Sequence, residues 1–309
     1  MIIVFLFFFK KKNSQSLNLN MNKLVVNNFF STFCKKNKNK QQHLLKSSFT
    51  NIESNNKKFE QQIIFIKSNI TYDLTNELNI TSITNNFIIK TKLLDKKILH
   101  ITPGGLYGFY DTGICRIIKD NYSLGDYVFN GASAGSWNSL LMVYKYDYNK
   151  LLNLIFDKLG ENKIKFIKTT QQKLKDIILS NTNTEDYELD KLFITVCVWS
   201  NNKINNYVYT DFETLECAIN CCIASSNIPV LTGDVIHKYR GKISYDGGFL
   251  SPSHILIKKP EFIITNSLFG KKRFFTSLFD SKNNISHLYE EGLTDGLNNL
   301  SYLDDIFKK

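Results

Sequence analysis

From residue 96 onward, short apolar runs alternate with longer segments whose apolar residues recur every three or four positions. The short runs predict buried strands: KKILHI, DYVFNG, LFITVCVWS, GKISYDGGFL and EFIIT, with NYVYTDF expected to pair with the third. Strands that alternate with helices are typical of an α/β fold. We therefore expect a mainly parallel central sheet with helices on both faces.

Four segments predict amphipathic helices, because their apolar residues share one face. These faces are formed by Tyr110, Ile114, Ile117 and Ile118; by Trp137, Leu140, Leu141 and Tyr144; by Leu215, Ala218, Ile219 and Cys222; and by Leu293, Leu297, Leu300, Leu303 and Phe307. The lysine-rich stretch 149–180 is also predicted to be helical. The third of the four helices must end before Pro229.

The first 56 residues predict a low-complexity basic extension, and residues 57–309 a single domain with its core motifs in 97–265 and a helical part in 266–309. Short strands or a small N-terminal subelement are also expected near 59–74 and 85–94. The opening MIIVFLFFF is too short to span a bilayer, and its lysines follow the apolar run, which is wrong for a secretory signal. Three interpretations of the extension stay open: a disordered tail, an organellar targeting segment, or sequence upstream of a start at Met21.

The basic character of the chain is confined to this extension. The chain has a net charge of +11. Residues 1–52 contain nine lysines and no acidic residue, which leaves 30 basic against 28 acidic residues in the remainder. A nucleic-acid groove in the folded part is therefore not expected.

The six cysteines lack CxxC spacing, and although Cys217 and Cys221 lie one helical turn apart, no further metal ligands stand near them. We expect reduced cysteines, no metal and no cofactor.

The segment GASAG places Ser133 between Gly131 and Gly135, at the junction of a predicted strand and a predicted helix. Glycines at these positions allow a sharp turn, and a serine there would sit at a helix N-terminus, where the N–H groups favour developing negative charge. This pattern predicts a nucleophile elbow. The alternative is a glycine-lined turn with a capping serine.

The segment TPGGLYG follows the preceding predicted strand. Its Gly104 and Gly105 would leave backbone N–H groups free to form an oxyanion hole, and Gly108 closes the motif. A phosphate-binding loop is the alternative, but the dinucleotide G-x-G-x-x-G spacing is absent. Because adjacent parallel strands end at the same edge of a sheet, we expect this loop beside Ser133.

The base is harder to assign. His237, His254 and His287 follow Ser133, but they lie in a polar loop, after LSPS and at a polar helix start. Asp246 comes at a predicted strand end and is followed by Gly247 and Gly248. A buried aspartate in such a turn can act directly as general base toward Ser133.

These motifs, in this order, resemble the patatin-like phospholipases. PGGLYG, GASAG and DGG correspond to that family's oxyanion loop, nucleophile elbow and aspartate turn, ASSNIP resembles the segment that precedes the aspartate, and GFYDTGICRIIKD resembles the helix after the loop. Pro103 stands where the fuller family loop has a glycine, and Tyr107 where many members have a basic residue. The resemblance implies a three-layer α/β sandwich, Ser133 as nucleophile, Asp246 as base, and Gly104 and Gly105 as oxyanion donors.

The resemblance further implies a lipid acyl hydrolase that acts on phospholipid esters at a membrane surface, without calcium or another cofactor. A neutral-lipid lipase or transacylase, a non-catalytic lipid-binding or storage protein, and a Ser–His–Asp hydrolase are the rivals. The segment 269–279 interleaves basic and aromatic residues, which suits either an anionic membrane or a core-facing helix. An intracellular location, cytoplasmic or peripheral on a membrane, is expected.

Overall fold

The computed structural model describes residues 93, 95–159, 167–229, 232, 236–250, 258–269 and 285–308. The strands in this part of the chain are β1 (Lys97–Ile101), β2 (Tyr127–Ala132), β3 (Leu192–Ser200), β4 (Lys203–Tyr209), β5 (His237–Tyr239), β6 (Lys242–Tyr245) and β7 (Phe262–Ile264). The helices are α1 (Gly108–Asn121), α2 (Ala134–Met142), α3 (Tyr148–Leu159), α4 (Ile167–Asn181), α5 (Leu215–Ser225), α6 (Ile285–Asn298) and α7 (Leu300–Phe307). The predicted α/β fold is confirmed at this level.

The strands form one mixed sheet with the order β5-β6-β3-β2-β1-β7, and β4 pairs with β3 off this path. The strands β7, β1, β2 and β3 run parallel, whereas β4, β5 and β6 pair antiparallel. On β3, Cys197 pairs with Asn206 of β4 and also with Tyr245 of β6. The strands β4 and β6 therefore lie on opposite edges of β3.

The other strand on the β6 side of β3 is β2, and the two approach each other end to end. The strand β2 runs parallel to β3 and ends with Ala132 opposite Thr195, while β6 runs antiparallel and ends with Tyr245 opposite Cys197. Their carboxyl ends thus converge on Val196 from opposite directions. The residue after each strand, Ser133 or Asp246, is brought to this point.

The two faces of the sheet contact different parts of the chain, as the alternation of side chains along a strand requires. Leu99, Phe129 and Ile194 pack in the main core, to which every described helix contributes apolar residues. Ile98 and Phe193 point the other way and pack in a small second cluster, which holds no residue of a described helix. The described helices therefore lie on one face, and a layer on the second face stays a prediction.

Three predicted elements differ from the structure. The helix after Ser133 ends at Met142, so Tyr144 lies beyond it and forms an isolated bridge with Tyr187. The stretch 149–180 holds two helices, α3 and α4, and the closing helix is divided at Asn299 into α6 and α7.

Within the described part of the chain, no helix has both the length and the apolar character needed to cross a membrane.

The helix α6 packs closely along α1. A Cβ on Gly292 would collide with the carbonyl oxygen of Tyr110, and side-chain hydrogen bonds flank this contact. Tyr110 Oη donates to Asp295 at 2.8 Å, and Arg116 Nη1 donates to Tyr289 Oη at 2.7 Å. This pairing joins the C-terminal helices to the helix that follows the glycine loop.

The predictions for residues 1–56 and for the short strands before residue 93 lie outside the described residues, as do His254 and residues 270–279 of the basic and aromatic segment.

Candidate active site

Ser133 occupies the sharp turn between β2 and α2. Its backbone has φ 53° and ψ −126°, a conformation that residues with a side chain rarely adopt. Strain of this kind typically marks functional sites, where the surrounding structure must hold it in place. Here the Ser133 carbonyl accepts hydrogen bonds from the N–H and the hydroxyl of Ser136, at 2.9 and 2.6 Å. The predicted strand-to-helix turn is present at Ser133, and its role as a nucleophile elbow stays a prediction.

The elbow glycines allow backbone segments to approach more closely than a side chain permits. A Cβ on Gly131 would collide with the carbonyl oxygen of Gly135, and one on Gly135 would collide with that of Ile101. The latter contact places the elbow directly against the end of β1. The remaining motif glycines are also tightly surrounded: Gly108 faces Ala134, Gly247 faces the Thr195 carbonyl and Gly248 faces Pro103.

Asp246 lies immediately after β6 and contacts Ser133. The Ser133 hydroxyl donates to Asp246 Oδ2 at 2.5 Å, and the Gly248 N–H donates to Asp246 Oδ1 at 2.8 Å. Each carboxylate oxygen therefore has one donor, which fixes the plane of the group. Ser133 and Asp246 are 7% and 6% exposed, so both are buried yet retain some accessible surface.

Burial raises the pKa of Asp246 from 3.8 to about 6, and the hydrogen bonds from Ser133 and Gly248 oppose this shift. A carboxylate with a pKa near 6 is ionised at neutral pH and is a stronger base than an ordinary aspartate. The ionisable thiol beside it, Cys197, has a pKa raised by burial to about 12 and so remains neutral.

The glycine loop lies beside this pair. Gly104 is buried, and Gly105 has φ 57°, a left-handed conformation that favours glycine. In the described part of the chain, no backbone carbonyl accepts a hydrogen bond from the N–H of either residue. Pro103, the residue before them, packs against Gly248, since a Cβ there would lie 2.6 Å from Pro103 Cγ. Loop, elbow and aspartate turn are thus neighbours, while the oxyanion role of the two glycines stays a prediction.

A buried polar cluster that the sequence did not reveal joins the glycine loop to α2. Asn138 Nδ2 donates to the Gly108 carbonyl at 2.9 Å. The Thr112 hydroxyl lies 2.8 Å from the same carbonyl and 2.7 Å from Asn138 Oδ1, two acceptors between which it shares its single proton. Single polar residues on largely apolar helix faces are the only sequence signal for it.

Ser225 and Asn227 also contact the pair, and the sequence indicated them only through the resemblance of ASSNIP. The Ser133 N–H donates to Ser225 Oγ at 2.8 Å, and the Gly247 N–H donates to the Ser225 carbonyl at 2.7 Å. The Asp246 N–H donates to the Asn227 carbonyl at 2.8 Å.

The histidines do not take the place of Asp246 in the described region. His237 lies in β5 rather than in the predicted loop, His287 lies in the first turn of α6 as predicted, and His100 is buried against Asn130 with Nδ1 2.6 Å from Asn130 Oδ1. None of these three has a described hydrogen bond to Ser133. The described cysteines are free thiols.

Comparison with known proteins gives limited information. No protein-family model matches the chain, and no curated protein matches it. Among solved structures, a chain of the heterodimeric complex ExoU–SpcU from the type III secretion system of Pseudomonas aeruginosa matches with a TM-score of 0.34 and 13% identity. The match covers 67% of this chain and 52% of that chain, so this protein spans about half the length of its structural neighbour. A similarity this low does not indicate a shared activity.

Proposed function

We propose that this protein is a lipid acyl hydrolase in which Ser133 is the nucleophile and Asp246 the general base. One observation carries the proposal: a hydroxyl on a strained strand-to-helix turn donates at 2.5 Å to a buried carboxylate from a distant part of the chain. An ordinary capping serine needs neither the strained turn nor a desolvated carboxylate. The order of the glycine loop, elbow and aspartate turn, as in patatin-like phospholipases, supports this reading.

The proposed reaction has two steps. Ser133 Oγ attacks the ester carbonyl carbon while its proton passes to Asp246 Oδ2, and the tetrahedral oxyanion accepts hydrogen bonds from the N–H groups of Gly104 and Gly105. As the C–O bond breaks, Asp246 returns the proton to the leaving alcohol and an acyl-enzyme remains. Water then attacks the acyl carbon, giving its proton to Asp246, and the acid is released as Ser133 regains a proton.

Two features favour a carboxylate as the base. Burial gives Asp246 a pKa nearer neutrality, which raises its basicity at the operating pH. Ser133 also precedes the first residue of α2, where the helix dipole stabilises negative charge on the serine oxygen. Each backbone donor in an oxyanion hole contributes on the order of 3–4 kcal/mol to transition-state stabilisation.

The substrate class rests on the motif resemblance, which favours glycerophospholipid esters at a lipid surface. The test is fatty-acid release from phosphatidylcholine vesicles, together with hydrolysis of a soluble short-chain p-nitrophenyl ester. Ser133→Ala and Asp246→Asn should each lose activity on both substrates by on the order of 10³-fold or more, because nucleophile and base act as one unit. His287→Ala is the matched control and should retain activity.

Other outcomes identify the rivals. Loss of activity in His237→Ala, His254→Ala or His287→Ala, with Asp246→Asn active, indicates a histidine base. Failure of a fluorophosphonate probe to label Ser133, with vesicle binding intact, indicates a lipid-binding or storage protein. Transfer of the acyl group to an added monoacylglycerol acceptor indicates a transacylase, and preference for triacylglycerol emulsions over phospholipid indicates a neutral-lipid lipase.

A further inference from the structure

One buried serine outside the dyad contacts the backbone of both dyad residues. Ser225 is the last residue of α5 and is fully buried. We propose that Ser225 is the positioning residue that sets the distance between Ser133 and Asp246, an inference that rests on the proposed function. Its side chain is hydrogen-bonded to Ser133, and its main-chain carbonyl is hydrogen-bonded to Gly247 in the turn that carries Asp246.

The hydroxyl of Ser225 anchors the elbow to the sheet. It accepts the Ser133 N–H at 2.8 Å and donates its own proton to the Thr195 carbonyl at 2.7 Å. A hydroxyl is suited to this bridge because it can accept and donate at once. An alanine would leave a buried N–H at Ser133 and a buried carbonyl at Thr195 without this partner, where the backbone of Ser133 is already strained.

The main chain of the same segment anchors the base. The Ser225 carbonyl accepts the Gly247 N–H at 2.7 Å, and the Asn227 carbonyl accepts the Asp246 N–H at 2.8 Å. Gly247 also lies against the Ser225 side chain, since a Cβ there would be 2.9 Å from Ser225 Oγ. The end of α5 is therefore a template on which the carboxyl ends of β2 and β6 are aligned.

This arrangement predicts a specific kinetic defect. With the hydroxyl removed, the elbow can shift relative to Asp246 while the loop and the remaining core stay in place. A shift of about 1 Å in a reacting group costs on the order of 10²-fold in rate. The turnover of bound ester should therefore fall, while KM for a small soluble ester should change little.

The experiment compares Ser225→Ala with Ser226→Ala in the full-length protein, using p-nitrophenyl butyrate. Ser226 is the matched control because it is also a buried serine, but its hydroxyl accepts from Trp137 Nε1 at 3.2 Å rather than from the dyad. We expect Ser225→Ala to lower kcat by on the order of 10–100-fold with KM within about twofold. Ser226→Ala should keep kcat within about threefold of wild type. Ser225→Cys, which keeps a weak acceptor, should fall between Ser225→Ala and wild type and tests the inference if the alanine variant does not fold.

The pH profile separates positioning from general destabilisation. The Ser133 hydrogen bond lowers the pKa of Asp246, so loosening that bond should move the acidic limb of kcat/KM to higher pH in Ser225→Ala. The neighbouring Cys197 thiol, with a pKa of about 12, does not titrate in this range. A merely destabilised variant would lose folded protein without moving this limb.

An unchanged kcat in both Ser225 variants overturns the inference, as does a lower kcat with an unmoved acidic limb. Either result leaves the proposed function intact, since wild type still turns over. A wild-type protein that neither hydrolyses the ester nor reacts at Ser133 with a fluorophosphonate overturns the proposed function, and the inference falls with it.

Discussion

At the scale of single residues, the site combines two features that each lower the free energy of unfolding and that a purely structural region would avoid. Ser133 has a strained backbone, and Asp246 is a carboxylate buried away from water. Ser133 is held by hydrogen bonds to the buried residues Ser136 and Ser225, and Asp246 by one from the half-buried Gly248. Such local costs, offset by the rest of the fold, are typical of functional sites.

The raised pKa of Asp246 predicts the pH dependence of activity. The base must be ionised, so kcat/KM for a soluble ester should fall about tenfold per pH unit below pH 6 and level off above it. A rate profile between pH 4.5 and 8.5 measures this. The limb should persist in His237→Ala and His287→Ala, and its disappearance in either variant would contradict Asp246 as the base.

The same burial predicts that Asp246→Asn stabilises the protein at neutral pH while inactivating it. Because the folded-state pKa is about 6 and the ordinary value 3.8, the folded state binds more protons between these values, so the free energy of unfolding falls as pH rises through this window. The neutral amide avoids this loss. We expect Asp246→Asn to be more stable than wild type at pH 8 by on the order of 1–3 kcal/mol.

Urea unfolding at pH 8 and near pH 4 measures this difference. It should shrink at the lower pH, where Asp246 is protonated in the folded wild type. An equal difference at both pH values would show that the charge is not its cause.

At the scale of elements, contacts between helices hold the glycine loop in place. The helix α1 begins directly after the loop. The helix α6 packs on α1 through Gly292 and through the hydrogen bonds that Tyr110 and Arg116 donate to it. The Thr112–Asn138 cluster joins the same helix to α2. The loop is therefore positioned by α1, by α2, which is bonded to α1, and by α6, which packs on α1 from the C-terminal part of the chain.

This packing predicts that Gly292→Ala is strongly destabilising. The added methyl group would collide with the Tyr110 carbonyl, so α6 must shift away from α1, at a cost of about 3 kcal/mol in the free energy of unfolding. The matched control is Gly125→Ala, because Gly125 is exposed and has no atom within 4 Å of the added Cβ. The control should change stability by less than about 0.5 kcal/mol in urea unfolding. Equal effects of the two substitutions would rule out the close helix contact.

At the scale of the whole molecule, charge is distributed unevenly along the chain. The first 52 residues carry nine lysines and no acidic residue, while the remainder is nearly balanced. Basic residues close to an anionic membrane contribute about 1 kcal/mol each to binding, and salt screens this attraction. If the proposed hydrolase acts at an anionic lipid surface, these nine lysines would add to its attachment there.

Replacement of those nine lysines by glutamine should weaken binding to phosphatidylserine vesicles by at least tenfold at low salt, with little effect on phosphatidylcholine vesicles. Hydrolysis of p-nitrophenyl butyrate should be unchanged, because a soluble ester does not require the protein to bind a membrane and none of the nine lysines belongs to the proposed dyad. Vesicle sedimentation at two salt concentrations measures the binding. Equal loss on both vesicle types would contradict an electrostatic role.

Much of the local structure could be predicted from sequence, because it depends on short-range rules. The strand β3 matches its apolar run residue for residue, and α5 ends before Pro229 as the proline requires. The break at Asn299 was not predictable, since the apolar periodicity continues across it from α6 into α7. Tyr144 was misplaced for the same reason: its spacing fits a helix, but it pairs with Tyr187 instead.

By itself, the sequence determined the order of strand, glycine loop, elbow and aspartate turn, because residue size, backbone freedom and apolar periodicity act over a few neighbouring residues. It indicated Ser133 and Asp246 as partners but could not bring them together. Tertiary structure alone decided that contact, because β6 pairs antiparallel along the edge of β3 that β2 occupies, so that the two strands end face to face. Tertiary packing also placed Ser225, at the end of α5, against the backbone of Ser133 and of the Asp246 turn, a position that no local pattern in the chain specifies.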